Sequence, residues 1–226
     1  MMFRTLSIIA MSMTLLMSQL AHAGLFIDRT RVIVVAGSSS AFDIGNDTQA
    51  PYAMQAWVTD PEGNEPGRNV QVSPSFSMIA EDSKQPLRLV SFAKESKQEQ
   101  LYYLYVQEIP PKAEAAKSES LMQIALRYKI KVFVRPESIS EGRRGAENQL
   151  VAKYTSTGLE LKNPTPYYFA LTQFEIGKKV YHNDEMGLFK PFSTVEIDSV
   201  SNHADEINIS YLSDRGGLRT TLIKAE

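Results

Sequence analysis

From Leu121 to Val134 the chain reads LMQIALRYKIKVFV, and the even positions Met122, Ile124, Leu126, Tyr128, Ile130, Val132 and Val134 are all apolar or aromatic. The odd positions include Gln123, Arg127, Lys129 and Lys131. A helix would scatter the seven apolar residues around its axis, whereas a strand puts them all on one face. The window is a strand, and its length is anomalous. Fourteen residues at about 3.3 Å each span roughly 46 Å, against roughly 17–20 Å for a usual strand. If Tyr128 to Val134 fills its own domain's core, the leading part with Met122, Ile124 and Leu126 projects beyond it. Natural sheets blunt a long apolar edge with charge, proline or a bulge, and none interrupts Met122 to Leu126. Spacing alone leaves two readings open: an edge kept for use, or a long central strand buried throughout.

The period of two recurs along the chain in runs of five to eight residues bounded by Gly, Pro, Asn and Asp. Candidate strands are Thr30 to Val35, Ala41 to Ile44, Tyr52 to Thr59, Leu87 to Phe92 and Leu101 to Glu108, before the long one. Arg135-Pro136 stops the pattern, since proline cannot donate to a ladder. The stretch ESISEGRRGAEN that follows is polar, carries two glycines and makes the best domain boundary. Strands resume at Gln149 to Thr155, Gly158 to Leu161, Tyr167 to Ile176, Phe192 to Ile197, Glu206 to Leu212 and Leu218 to Lys224. Short strands with turn signals every 8 to 12 residues predict an all-β protein of two immunoglobulin-like sandwiches. The expected division is residues 24–136, a linker 137–148, and 149–226.

The leader narrows the setting. Arg4, an apolar stretch from Leu6 to Leu20 and Ala21-His22-Ala23 read as a secretory signal over residues 1–23, so the mature chain is expected to begin at Gly24 outside the cytoplasm. The apolar stretch is too short and too interrupted to span a membrane. Cysteine is absent although disulfides are permitted in such a compartment, which excludes thiol catalysis and thiolate metal sites. The net charge is −2, and no basic run exceeds Arg143-Arg144, so nucleic acid is not an expected partner.

No catalytic constellation emerges. His182 and His203 lie in polar segments without a ligand partner at zinc-like spacing. Ser38 to Ser40 lack a nucleophile elbow, and no phosphate-binding glycine loop implies a nucleotide. Glu81-Asp82 and Asp184-Glu185 read as loop charges. The expectation is a protein that is not an enzyme and holds no cofactor or metal. Trp57, the single tryptophan, sits in a candidate strand and reads as core.

Four ordered segments carry a resemblance: DRTR at Asp28 to Arg31, QEQLYYLYVQEIPP from Gln98, IALRYKIKVFVRP from Ile124, and NPTPYY from Asn163. Together they resemble the periplasmic pilus chaperones of the chaperone-usher pathway, over nearly the whole mature chain. The resemblance implies two immunoglobulin-like domains in a boomerang with a cleft between them. It implies a periplasmic protein that lends the strand equivalent to Leu121–Val134 to a pilus subunit lacking its last strand, and delivers the subunit to an outer-membrane usher. Met122, Ile124 and Leu126 would then enter the subunit's groove as added-strand side chains. Arg31 and Lys131 would anchor the subunit's C-terminal carboxylate; the parity agrees, since Lys131 lies opposite the apolar row. Glu99, Arg135 and Asp214 would form an ion-pair network setting the angle between domains. Gln100 stands where the family more often has a small hydroxyl residue, and Tyr105 where it often has asparagine, which weakens the local signature only. The short connection Lys112 to Ser120 resembles the subclass serving rod-type pili. A dimer capping its own donor edges remains open for the free protein. The alternative reading is a secreted two-domain adhesin or carbohydrate-binding sandwich, with loop aromatics and Trp57 carrying recognition.

Overall fold

Strand-forming alternation becomes two sandwiches, each closed around its own core. The computed structural model describes residues 24–94, 96–112, 124–182 and 184–225. The leader, the connection from residue 113 onward and Met122 lie outside the described residues.

The first sandwich contains β1 (Leu25–Ile27), β2 (Arg31–Val35), β3 (Ser39–Asn46), β4 (Tyr52–Thr59), β5 (Val70–Ser73), β6 (Phe76–Ile79), β7 (Ser83–Ser91), β8 (Gln100–Ile109) and β9 (Arg127–Arg135). One sheet runs β1-β3-β7-β5 and the other β2-β9-β8-β4-β6. The chain changes sheets between Ile27 and Arg31, a corner of the kind made by strands that switch layers. As a result β2 joins the five-stranded sheet beside β9, in parallel, with Arg31 opposite Lys131. The second sandwich contains β10 (Val151–Tyr154), β11 (Gly158–Lys162), β12 (Leu171–Ile176), β13 (Lys179–Tyr181), β14 (Thr194–Asp198), β15 (Glu206–Leu212) and β16 (Leu218–Lys224). Its sheets run β10-β11-β14 and β13-β12-β15-β16.

The inward parity of each strand builds the cores. Val32, Val34, Met54, Leu89, Leu104, Val106, Ile130 and Val132 meet in the first, and Leu159, Leu161, Phe174, Phe189, Ile207 and Ile209 in the second. Leu104 is fully buried. We expect Leu104→Ala to lower the stability of the first sandwich by about 2–5 kcal/mol, the usual combined loss of transfer energy and cavity formation. A shift in the denaturant midpoint measures it.

The same polar staple holds a turn in each sandwich. Asn46 Nδ2 donates to the carbonyls of Ala50 and Ile79 at 2.9 and 3.1 Å, while its Oδ1 accepts from Thr48 N and Oγ1. Asn163 Nδ2 donates to Tyr167 and Lys190 carbonyls, each at 2.8 Å, and its Oδ1 accepts from Thr165 N and Oγ1. Both asparagines are buried, so each substitutes for backbone pairing the turn cannot make.

Between the sandwiches, the polar stretch after Pro136 folds as three short 3-10 turns, Glu137–Ile139, Glu141–Arg143 and Ala146–Gln149. Its last turn packs Ala146 into the second core and buries Glu147.

Candidate functional site

The central feature is how far each neighbour accompanies β9. On one side β8 pairs it in antiparallel register from Gln100 opposite Val134 to Gln107 opposite Arg127. On the other, β2 reaches only Lys131 to Arg135. The stretch from Arg127 to Ile130 therefore presents one backbone edge that no strand covers among the described residues. The strand itself starts at Arg127, shorter than the window Leu121 to Val134 that its alternation predicts. Regular pairing stops although β8 runs on to Ile109: the Glu108 amide still donates to the Leu126 carbonyl, but the Leu126 amide turns to the Glu108 carboxylate instead of a ladder carbonyl. Alternation survives where regular pairing stops. Ile130, Val132 and Val134 fill the core, Tyr128 is half-buried at its rim, and Ile124 and Leu126 stand outside it, 66% and 40% exposed.

The parallel register brings Arg31 and Lys131 side by side at the end of this edge. Both reach toward the second sandwich. Arg31 Nη1 donates to the Leu212 carbonyl at 3.3 Å and Lys131 Nζ to the Gly187 carbonyl at 2.7 Å. Neither has a carboxylate partner among the described residues, and Arg31 Nε is buried without an acceptor. Burial lowers the pKa of each cation, and Arg31 lowers Lys131 further, while Asp214 partly offsets the effect on Arg31. Two adjacent, partly desolvated cations with no salt-bridge partner among the described residues keep donor capacity that an anion can accept.

Glu99, Arg135 and Asp214 are brought together. Arg135 Nε donates to Glu99 Oε1 at 2.7 Å and Nη2 to Asp214 Oδ2 at 2.8 Å, so one guanidinium bridges the sandwiches. Glu99 Oε2 accepts from Tyr168 N at 2.8 Å, which ties NPTPYY to the first sandwich. Phe133 packs on Tyr168, with ring centroids 5.4 Å apart, beside this network. Burial pushes the Glu99 carboxyl above its usual range, against the pull of Arg135 and the Tyr168 amide; Arg135 is held charged by Glu99 and Asp214. Asp214 is presented by a tight turn in which Ser213 N donates to Gly217 O and Gly216 adopts φ +79°, a conformation that favours glycine.

Sequence reading missed two members of this network. Arg143 donates to Glu147 at 2.8 Å and to Asp214 at 3.3 Å, and lies over the Tyr167 and Phe169 rings. The pair Arg143 and Glu147 sits at a spacing of four, the available signal, in a stretch that reads as linker.

Trp57 is a correction. It lies half-buried on the outer face of the five-stranded sheet, stacked on Tyr105 at 5.3 Å with Arg127 above it. Met54, Ala56 and Val58 take the inward positions of β4, so parity puts Trp57 outside. His203 rests on the Tyr154 ring, His182 lies near the Thr172 carbonyl, and no group of three His, Cys, Asp or Glu among the described residues is arranged to hold a metal. No helix among the described residues is long and apolar enough to cross a membrane.

Comparison with known proteins places this geometry. Residues 24–140 match the family model "Pili and flagellar-assembly chaperone, PapD N-terminal domain", and residues 145–222 match "Pili assembly chaperone PapD, C-terminal domain". The chaperone protein FimB/FhaD of Bordetella pertussis is 31% identical over 211 residues, covering 88% of this chain and 86% of that protein. The chaperone protein PapD of Escherichia coli is 32% identical over 208 residues, covering 87% and 84%. Among solved structures, the E. coli chaperone DraB aligns with a TM-score of 0.74 at 26% identity, over 90% of this chain and 96% of that one. The Salmonella enterica SafA pilin in complex with the SafB chaperone aligns with a TM-score of 0.76 at 21% identity, over 89% and 96%, a likeness of fold.

Proposed function

The chain belongs to the pilus-assembly chaperone family, and from that premise we propose that it works in the periplasm, where it holds pilus subunits by lending them a strand and hands them to an outer-membrane usher. The observation that carries this reading is the coincidence, on one strand, of an uncovered backbone edge, an exposed apolar row and a paired-cation seat at its end.

Each part has a physical task. A subunit lacking its last strand has unpaired backbone groups and an open apolar groove; the Arg127–Ile130 edge answers the first, and Ile124, Leu126 and Met122 the second. Full burial of three such side chains is worth roughly 5–9 kcal/mol before ordering costs, enough for a tight hold. Hydrogen bonds from Arg31 and Lys131 to the subunit's terminal carboxylate add about 1.5–3 kcal/mol each. They also set register, because a slip of one residue would turn the apolar row out of the groove. The Glu99–Arg135–Asp214 network keeps the second sandwich in place, and with it the Leu212 and Gly187 carbonyls that aim both cations. Association alone drives the exchange, so no nucleotide is required.

The direct test is gel filtration of the protein mixed with a denatured pilus subunit diluted into it. A stoichiometric complex forming without ATP supports the reading, and a subunit that aggregates at the same rate with and without the protein contradicts it. In the same assay Arg31→Ala and Lys131→Ala should each weaken capture by about 10- to 150-fold, the equivalent of one charge-assisted bond, with thermal midpoints nearly unchanged. Full capture by both variants would remove the anchor role.

A further inference from the structure

Glu108 has no part in the site described so far, yet it grips that site's root. It is the last core-facing residue of β8 and only 3% exposed. Its carboxylate accepts two amide protons from distant parts of the chain: Leu25 N on Oε2 at 3.0 Å and Leu126 N on Oε1 at 2.8 Å. The Glu108 amide donates back to the Leu126 carbonyl at 3.0 Å, so both backbone groups of Leu126 are held by this residue. Tyr128 closes the corner by donating its hydroxyl to the Leu25 carbonyl. Among the described residues no cation is within salt-bridge distance of Glu108; Tyr52 lies beside it at Gly24, and Glu108 and Asp47 both bear on the Tyr128 hydroxyl. A buried carboxylate without a counter-charge is costly.

Gly24 is pressed against that carboxylate. A Cβ at Gly24 would fall 2.5 Å from Glu108 Oε2 and 2.8 Å from Tyr52 Cε1, so any larger residue would push one of these side chains aside. Two substituents on one Cα are roughly 2.5 Å apart, which puts the Gly24 nitrogen within roughly 5 Å of Oε2. That is the range in which opposite charges stabilise each other. In the unprocessed chain this nitrogen is a neutral amide. Hydrolysis of the Ala23–Gly24 bond by a signal-cleaving protease adds one water, leaving a carboxylate on Ala23 and an ammonium on Gly24.

We propose that Glu108 is a positioning residue whose counter-charge is the α-ammonium of Gly24, so that removal of the leader locks the root of the donor segment for subunit capture. The proposal rests on the strand-lending reading and on cleavage after Ala23. The pair welds residues 24–25 to Leu126, the first donor side chain beyond the core, and so limits the ensemble of Ile124 and Leu126 before a subunit arrives.

Periplasmic protein beginning at Gly24 is compared with a form carrying two extra alanines ahead of Gly24, each with Glu108 and with Glu108→Gln. Titration of the Gly24 α-amino group, followed by NMR of 15N-glycine-labelled protein, should give a pKa at least about one unit above the ordinary value of about 7.7–8.0. It should fall back in Glu108→Gln. The alanine extension should weaken subunit capture about tenfold, a typical coupling between sites, and have no further effect in Glu108→Gln. An ordinary α-amino titration in the unsubstituted protein overturns the proposal, and this reading needs no variant to fold. A mature chain beginning elsewhere, or two effects on capture that multiply independently, also overturns it. A raised titration with undiminished capture by the extended form breaks the link to function while leaving the strand-lending reading intact.

Discussion

Ile124→Asp is expected to abolish subunit capture in a protein that folds as before. Ile124 is 66% exposed and no member of the core cluster, so the change leaves the sandwich intact. In a subunit's groove the same change removes about 1.5–3 kcal/mol of apolar burial and strands a carboxylate in apolar surroundings, at a cost of several kcal/mol more. The sum corresponds to a loss of more than about a thousandfold in affinity. Unchanged circular dichroism and thermal midpoint, with no complex on gel filtration, is the expected pair of results. A variant that still binds would mean that the exposed apolar row is not what fills the groove.

The second large effect is expected at Arg135. Removing this side chain leaves Glu99, 2% exposed, without its charge partner and cuts the link to Asp214. Breaking a buried pair from one side costs about 3–5 kcal/mol, so Arg135→Ala should lose that much stability and loosen one sandwich against the other. The pH dependence follows from Glu99. Its folded-state pKa is raised by burial, so its protonated form suits the fold better, and its contribution to stability declines as pH rises through the carboxyl range. Without Arg135 the carboxyl rises further. The deficit of Arg135→Ala relative to the unsubstituted protein should therefore be largest near neutrality and shrink on acidification. Adding Glu99→Gln should recover more than half of it. Denaturation curves at several pH values measure all three; a deficit independent of pH would show that the guanidinium matters for packing alone.

Strands with four or more alternations were legible from residues alone. Tyr52–Thr59, Glu206–Leu212 and Leu218–Lys224 form with the bounds their patterns predict. Three- and four-residue strands such as Leu25–Ile27, Phe76–Ile79 and Lys179–Tyr181 were not, because one or two alternations do not rise above the background of the chain. The window Leu121 to Val134 shows the limit of periodicity in the other direction. Side-chain parity announces which face is apolar, but only the backbone pairing decides where a strand begins, and at Leu126 a side-chain carboxylate takes the amide that a ladder would use. Trp57 shows a related limit: membership of a strand does not imply burial, because parity with Met54 and Ala56 turns its ring to the outer face.

The candidate site divides similarly. Arg31 and Lys131 are a hundred residues apart, and nothing in their spacing joins them; the resemblance named both, and the parallel register of β2 with β9 supplies the physical contact. Arg143 and Glu147 escaped because a polar stretch with two glycines reads as linker, whereas these two of its charges are buried as a pair. The recurring Asn-x-Thr staple at Asn46 and Asn163 is a repeat of function within the fold that three residues are too few to reveal in sequence.

Amide hydrogen exchange across residues 124–131, measured with and without a bound pilus subunit, tests the shared strand most directly. The amides of Arg127 and Lys129, which face the uncovered edge, and those of Ile124 and Ala125 should exchange rapidly in the free protein and become strongly protected in the complex, whereas Tyr128 and Ile130, paired with β8, and Leu126, held by Glu108, are slowed already. Protection confined to other surfaces, with residues 124–130 exchanging equally in both states, would contradict it.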